Sequence, residues 1–369
     1  MPIALTSDQL QHALALRDLT DPEAGSHAIQ MLVDVAVDAL AQTGRCDVRR
    51  GRGPRVVPLE DNYDRLRYPP SDVTRDARYT RYVDDGHVLR SHASAMMPPA
   101  LARLAENPAD DVLLVCPGIT YRRDAIDRLH TGTPHQLDLW RITRRRSGDA
   151  DLDEMLRLLV DALVPGRAWR WEPRTHPYTL NGRQVDVRNG DEWVEVWECG
   201  LAHPDVLAGA GLDGWSGLAL GMGLDRLLML RKGIPDIRLL RSADPRVAGQ
   251  MTDLEPYRIV SDLPAVTRDL SVAISVDDDA EHLGDRIRTA LGDRADILEA
   301  VTIVSETSYS DLPPSARDRL GINESQKNVL VRLDLRPLDR TLTDAEANGL
   351  RDDVYEAIHG GSTGQWAGR

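Results

Sequence analysis

Residues 217–227, Gly217-Leu218-Ala219-Leu220-Gly221-Met222-Gly223-Leu224-Asp225-Arg226-Leu227, decide the fold of this chain. The stretch begins glycine-rich and runs into a helix-compatible segment that reaches Arg231. Small residues stand where a substrate must approach the backbone, and an arginine follows at the start of the helix. Gly221 and Gly223 leave room, and Arg226 offers a positive clamp.

Upstream, Ile29, Leu32, Val33, Ala36, Val37 and Leu40 recur at helical spacing, which predicts a helix over 26–43 with Ser26 as N-cap and Gly44 as its stop. Residues 47–90 show little periodicity. Val112–Cys116 reads as a strand ended by Pro117-Gly118. Leu152–Leu163 has a helical period. Gln184–Val187 and Trp193–Trp197 read as strands joined by Asn189-Gly190, with Trp193, Glu195 and Trp197 on one face. Short strands mixed with helices, without βαβ alternation, predict an α+β catalytic core on an antiparallel sheet over residues 1–250.

Prolines 245, 256 and 264 mark a boundary, and 256–369 reads as a second domain. There Leu270, Val272 and Ile274 alternate with small polar neighbours, Leu283, Ile287 and Leu291 recur every four residues, and Val329 to Leu335 alternate again. Thr343 and Glu346 form a capping box for a last helix, and a short strand is expected near Gln365–Ala367. The order β-α-β-β-α-β is that of a ferredoxin-like α/β sandwich.

Composition narrows the function classes. The chain has 369 residues and a formal net charge of -14, which argues against loose non-specific nucleic-acid binding. No apolar run approaches the roughly 18 to 20 residues of a membrane span, and no signal peptide is visible. Cys46, Cys116 and Cys199 are far apart and suit a reducing, cytoplasmic compartment. Cys116 and Cys199 read as small buried hydrophobes, and His130 and His135 as structural. The chain contains no phenylalanine.

Two more segments carry chemistry. One is Leu89-Arg90-Ser91-His92-Ala93-Ser94. The other runs from Tyr121-Arg122-Arg123-Asp124 through His130 to His135-Gln136-Leu137-Asp138 and is expected to form a strand hairpin. Arg122 and Arg226, far apart in sequence, suit a bent triphosphate, and ATP with a carboxylate gives an acyl-adenylate.

The three segments, in this order, resemble the class II aminoacyl-tRNA synthetases and specifically the phenylalanyl-tRNA synthetase family. The likeness covers about residues 85–240 and resumes over about 264–360, where Pro264-Ala265-Val266-Thr267-Arg268-Asp269-Leu270-Ser271 is similar to the family's ferredoxin-fold anticodon-binding domain. That layout resembles the single-chain organellar form. The resemblance implies ATP and Mg2+ as cofactors, and an aromatic amino acid and tRNA as partners. Arg122 would be the motif 2 arginine bridging the amino-acid carboxylate and the α-phosphate, and Arg226 the motif 3 arginine on the γ-phosphate. His92, Ser94 and Gln136 would hold the amino-acid head group, with Asp138 close to the substrate. Ala219 and Gly221 would floor the side-chain pocket, and His176 and Tyr178 would line it. Asp124 and Gly223 would complete the ATP site, and Glu195 would help place the magnesium. A degenerate motif 1 around Ser26-His27-Ala28 leaves monomer and homodimer both open.

The chain departs from the family at defined positions. Pro134-His135-Gln136 lacks the ring that stacks on adenine, and Asp138-Leu139 stands where the family has Glu-Gly. His176-Pro177-Tyr178 replaces Phe-Pro-Phe, and Glu198 precedes Cys199-Gly200 where the family has glycine. A pocket with His176, Tyr178 and Asp138 accommodates a polar substituent on the ring, so phenylalanine is one of several substrates the residues allow. Beside adenylation and tRNA charging stand two other readings: a paralogue that adenylates a modified aromatic amino acid for biosynthesis, and a silent tRNA-binding module. Residues 256–369 carry 13 Lys+Arg against 21 Asp+Glu, an acidic balance for a tRNA binder unless Arg332, Arg336 and Arg340 form a stripe.

The missing phenylalanine has a use in this setting, because a chain without it can be translated while charged tRNA-Phe is scarce. Its synthesis is expected to persist through phenylalanine starvation when phenylalanine-containing controls stop, as pulse labelling would show. Parallel collapse refutes the idea.

Overall fold

The computed structural model describes residues 4–41, 46–77, 79–260 and 263–364. The chain divides into two compact units. The first is Met1–Arg122, Thr133–Pro235 and Gly249–Tyr257; the second is Arg123–Gly132, Asp236–Ala248 and Arg258–Arg369. Among the described residues no helix is long and apolar enough to cross a membrane.

The first unit is built on a seven-stranded sheet of β1 (Asp47–Arg50), β4 (Asp111–Ile119), β5 (His135–Thr143), β6 (Trp169–Pro173), β7 (Thr179–Asn189), β8 (Glu192–Ala202) and β9 (Ser216–Gly223). Their order is β1-β4-β5-β9-β8-β7-β6. β1 and β4 pair in parallel, and every other neighbouring pair is antiparallel. β2 (Val56–Pro58) and β3 (His87–Leu89) form a separate ribbon. The turn between β7 and β8 contains Gly190 at φ 61°, the left-handed region that the Asn-Gly pair supplies without strain.

Helix α1 (Ala28–Ala41) buries the six apolar residues named by the spacing. Its N-terminus is capped by His27, whose Nδ1 accepts the Ile29 N–H at 3.2 Å, and not by Ser26. Residues 42–45, including the expected stop at Gly44, lie outside the described residues. Helix α2 (Met97–Glu106) lays Met97, Leu101 and Leu104 against Leu114, Trp140 and Ala219 of the sheet. Helix α3 (Asp149–Leu163) packs beside α1. Helix α4 (Leu224–Lys232) leaves directly from the end of β9.

The pair Pro117-Gly118 does not end its strand. β4 runs through it, with Pro117 opposite Leu137 and Gly118 opposite Gln136. Gly118 is needed for a different reason: a Cβ there would overlap the Arg90 guanidinium. Arg90 is buried and donates to the carbonyls of Ile119 (2.7 Å), Gly53 (2.9 Å) and Pro54 (3.3 Å), with Asp18 at 3.9 Å.

The second unit has a three-stranded antiparallel sheet, β10 (Val266–Ser275), β12 (Gln326–Leu335) and β11 (Leu298–Ser308) in that order. Helices α5 (Ala280–Leu291) and α7 (Asp344–Ile358) supply its other layer, and Leu270, Val272, Leu283, Ile287, Val331, Leu333, Leu350 and Val354 fill the core. This is the strand order of a split βαβ unit. One feature differs from expectation: helix α6 (Pro314–Leu320) stands between β11 and β12, where two directly joined strands were expected. The strand expected near Gln365–Ala367 lies outside the described residues. Arg332, Arg336 and Arg340 do not make an unneutralised stripe, because Asp269, Glu299 and Glu346 pair with them at 2.9, 2.7 and 2.9 Å.

Arg90 cannot retreat without leaving a buried guanidinium unsatisfied, so Gly118→Ala is expected to cost about 2–4 kcal/mol. Chemical denaturation checks this; a loss under about 0.5 kcal/mol would show that the close approach is dispensable.

Candidate active site

In an antiparallel sheet, residues directly opposite one another carry their side chains on the same face. The register places Asp138 of β5 opposite Gly221 of β9, and Gly221 opposite Glu198 of β8. Two residues along, Gln136 lies opposite Gly223; two residues the other way, Trp140 lies opposite Ala219. The result is a trough. Ala219, Gly221 and Gly223 form its floor, Gln136 and Asp138 stand on one side, and Glu198 stands on the other. A Cβ on Gly221 would lie 3.2 Å from Asp138 Oδ1, whereas one on Gly223 would meet nothing within 4 Å.

Glu195 reaches this face through a β-bulge. Val185 is opposite Trp197 and Asp186 is opposite Glu195, so Val196 is an extra residue on β8. The bulge resets the alternation. Glu195 joins the face of Glu198, while Trp197 turns into the core at 1% exposure. The simple alternation that put Glu195 and Trp197 on one face is therefore corrected.

Burial and the neighbouring Glu198 push the Glu195 carboxyl up, against the pull of Arg226, Arg174 and Arg122. Two of those arginines are the pair singled out in sequence, and both act on one carboxylate. Arg226 occupies the first turn of α4. That turn is fixed by Asp225, whose carboxylate accepts the His135 N–H at 2.5 Å and lies 2.9 Å from His135 Nδ1. His135 Nε2 accepts the Leu19 N–H at 3.1 Å, which assigns the proton to Nδ1. The carbonyl of Arg122 accepts from Arg81 at 3.2 Å.

Asp124 falls in the second compact unit. Its carbonyl accepts from the Arg288 guanidinium, and its carboxylate accepts the Ala125 N–H at 3.0 Å. It is not among the residues that the first unit gathers around the trough.

The inner end of the trough is polar and aromatic. Asp138 is 2% exposed and accepts from Trp140 Nε1 at 3.2 Å and from Ser94. Burial outweighs these bonds and pushes its carboxyl up to about 7. Tyr178 stacks on Trp140 with ring centroids 5.9 Å apart, and His176 and Tyr68 flank it at 5.7 and 6.1 Å. Ser94 also bonds to Tyr178. His176 Nε2 and Arg174 Nε hold the two oxygens of Glu198 at 2.8 and 3.0 Å. Burial opposes them, yet they keep Glu198 below the usual carboxylate range.

Tyr68 stacks on His92 at 5.6 Å, and the His92 ring lies buried beside the Asn62 backbone, which weakly favours its protonated form. Burial, then the charge of Arg122, lowers the His92 imidazole to about 4, so the ring is neutral near pH 7. Gln136 Oε1 accepts the Ala93 N–H at 2.9 Å. The structure thus brings together His92, Ser94, Gln136, Asp138, His176, Tyr178, Ala219 and Gly221, as well as the group of Arg122, Glu195 and Arg226. Tyr68 and Arg174 were not found from sequence. Neither sits in a regular pattern, and Tyr68 follows Arg67 at a left-handed φ of 66°.

Among the described residues no group of three His, Cys, Asp or Glu side chains forms a metal cage. Glu195 near the arginines instead fits a cation that keeps phosphate and water ligands and takes a single carboxylate.

Residues 14–251 match the family model described as tRNA synthetases class II core domain (F). The chain is 33% identical over 254 residues to the phenylalanine--tRNA ligase alpha subunit of Prochlorococcus marinus (strain MIT 9313), a match covering 67% of this chain and 72% of that relative. It is 29% identical over 257 residues to the phenylalanine--tRNA ligase alpha subunit of Nostoc punctiforme (strain ATCC 29133 / PCC 73102), covering 67% and 76%. Among solved structures, PylSc of Desulfitobacterium hafniense, a pyrrolysyl tRNA synthetase, aligns with a TM-score of 0.45 and 17% identity over 63% of this chain and 77% of that one.

An acid whose folded value is raised is protonated in the native state and ionised in the unfolded state between about pH 4 and 7, so stability falls as pH rises through that window. Asp138→Asn removes this cost. Its Tm is expected to match wild type near pH 4 and to exceed it by roughly 5–10 °C at pH 8. A Tm difference that does not change with pH would contradict a buried, protonated Asp138.

Proposed function

The chain belongs to the class II aminoacyl-tRNA synthetases, in the phenylalanine–tRNA ligase family, and we propose that it adenylates an aromatic amino acid in the glycine-floored trough and passes it to tRNA. The register that sets Asp138, Gly221 and Glu198 on one face carries the reading, with Arg122 and Arg226 both drawing electrostatically on Glu195 of that face.

Adenylation is an in-line attack of the amino-acid carboxylate on the α-phosphorus of ATP, with pyrophosphate leaving. The attacking carboxylate is already ionised, so no general base is required. The need is to hold two anions together and to stabilise charge on the phosphoryl oxygens. Arg122 is assigned to the carboxylate and α-phosphate, and Arg226 to the γ-phosphate. Gly223 leaves backbone room for the nucleotide. Mg2+ carried by ATP would neutralise phosphate charge, with Glu195 as its protein ligand.

Neutral His92 offers one acceptor nitrogen and takes a hydrogen bond from the substrate's α-ammonium; a protonated ring would repel it. Ser94 and Gln136 share this head group. The aromatic walls, Tyr178 on Trp140 and Tyr68 on His92, fit a ring-bearing side chain. The second unit is assigned to tRNA in the manner of an anticodon-binding domain. Because Arg332, Arg336 and Arg340 are already paired with acids, that unit should add little to the salt dependence of tRNA binding.

Amino-acid-dependent pyrophosphate exchange tests the first step. Arg122→Ala and Arg226→Ala are each expected to lower kcat/KM by about 10²–10³, with the fold retained by thermal melt. Exchange that survives both substitutions would disprove the arginine clamp.

A further inference from the structure

The inner pocket is acidic on two sides. Asp138 and Glu198 project from β5 and β8 onto the same face, separated by one strand whose residue at that rung is Gly221. Over that rung the Tyr178 ring lies against Trp140, which donates to Asp138, and near His176, which holds Glu198. Glu198 is fixed by His176 and Arg174. Asp138 takes part in no ion pair among the described residues; Ser94 and Trp140, both neutral, are its side-chain donors. Tyr68 lies 6.1 Å from Tyr178, and Tyr178 in turn packs against Trp140 and His176, the donors to Asp138 and Glu198, so both tyrosines belong to the same cluster as the two carboxyls.

Each carboxyl oxygen keeps a second lone pair beyond the donors that already hold it. A bare phenyl ring seated there would strip water from those lone pairs and return no hydrogen bond, which is unfavourable in a buried site. A ring carrying a hydroxyl or an amine restores the bond while keeping its contact with Tyr178 and Tyr68. We infer that the pocket selects an aromatic amino acid whose ring bears a hydrogen-bond donor, against an unsubstituted phenyl ring, with Asp138 and Glu198 as the residues that read the donor. This rests on the adenylation reading and names the substrate class of the same site. The discrimination is of the strong kind, since sites built to bond a polar group reject analogues lacking it far better than apolar pockets reject an added group.

The full-length chain is assayed by pyrophosphate exchange with phenylalanine, tyrosine, 3-hydroxyphenylalanine and 4-aminophenylalanine. At least one donor-bearing ring is expected to exceed phenylalanine in kcat/KM by about 10²-fold. Glu198→Ala and Asp138→Asn are expected to bring that ratio to within about tenfold, chiefly by raising KM for the donor-bearing substrate. Phenylalanine used as well as or better than every polar analogue by the wild-type chain overturns the inference and leaves adenylation standing. A preference unchanged in both folded variants also overturns it. Exchange with none of the four overturns adenylation and the inference together. If either variant fails to fold, the wild-type ratio alone decides.

Discussion

A strand that separates two acid-bearing strands must itself carry almost nothing if a substrate is to lie between them. β9 obeys this constraint at Ala219, Gly221 and Gly223 on the working face, while Leu218, Leu220 and Met222 anchor it from the other. The same strand feeds α4, so the trough and the Arg226 guanidinium share one rigid origin. His135 and Asp225 tie the start of that helix to β5, which carries the opposite wall. Floor, wall and clamp are thus set by the register of three strands, with no loop needed to hold them.

A second constraint works behind the sheet. Arg90 draws carbonyls from the 53–54 segment and from the end of β4 into one buried cluster, and Asp18 both approaches the guanidinium and accepts the Ile119 N–H at 3.1 Å. A buried cation so fully bonded is costly to disturb and tolerates little variation in the backbone around it. It lies two residues before His92 in the chain and so fixes where that neutral imidazole enters the site. The chain keeps a charge in its interior to position an uncharged ring in its pocket.

The glycine-rich stretch, the Asn189-Gly190 turn and the alternation of β10 and β12 were legible because each rests on a local rule: missing side chains, left-handed backbone, or a period of two. β1 was not legible, since Asp47–Arg50, three charged residues around Val48, become a strand only by pairing with β4. Pro117-Gly118 misled because the dipeptide usually turns the chain, whereas here the partner strand and Arg90 decide. In the site, arginines and glycines could be read from motif spacing. Tyr68 and Arg174 could not, since what places them is packing against Tyr178, His92 and Glu198 across long sequence distances. Asp124 sits in the motif segment by sequence and in the other compact unit by contact.

The extra residue at Val196 sets the phase of β8. On one side of it the strand keeps step with the hydrophobic core, and on the other with the chemistry. Were the strand to run through Val196 in regular alternation, Glu195 and Trp197 would share one face, and either the indole would leave the core or the carboxylate would enter it. Deleting Val196 would instead keep both addresses, because Asp186 already pairs with Glu195 and Val185 with Trp197. The tolerance of this stretch is therefore lopsided: the strand can lose the odd residue and keep its two faces, but it cannot keep that residue and lose the kink.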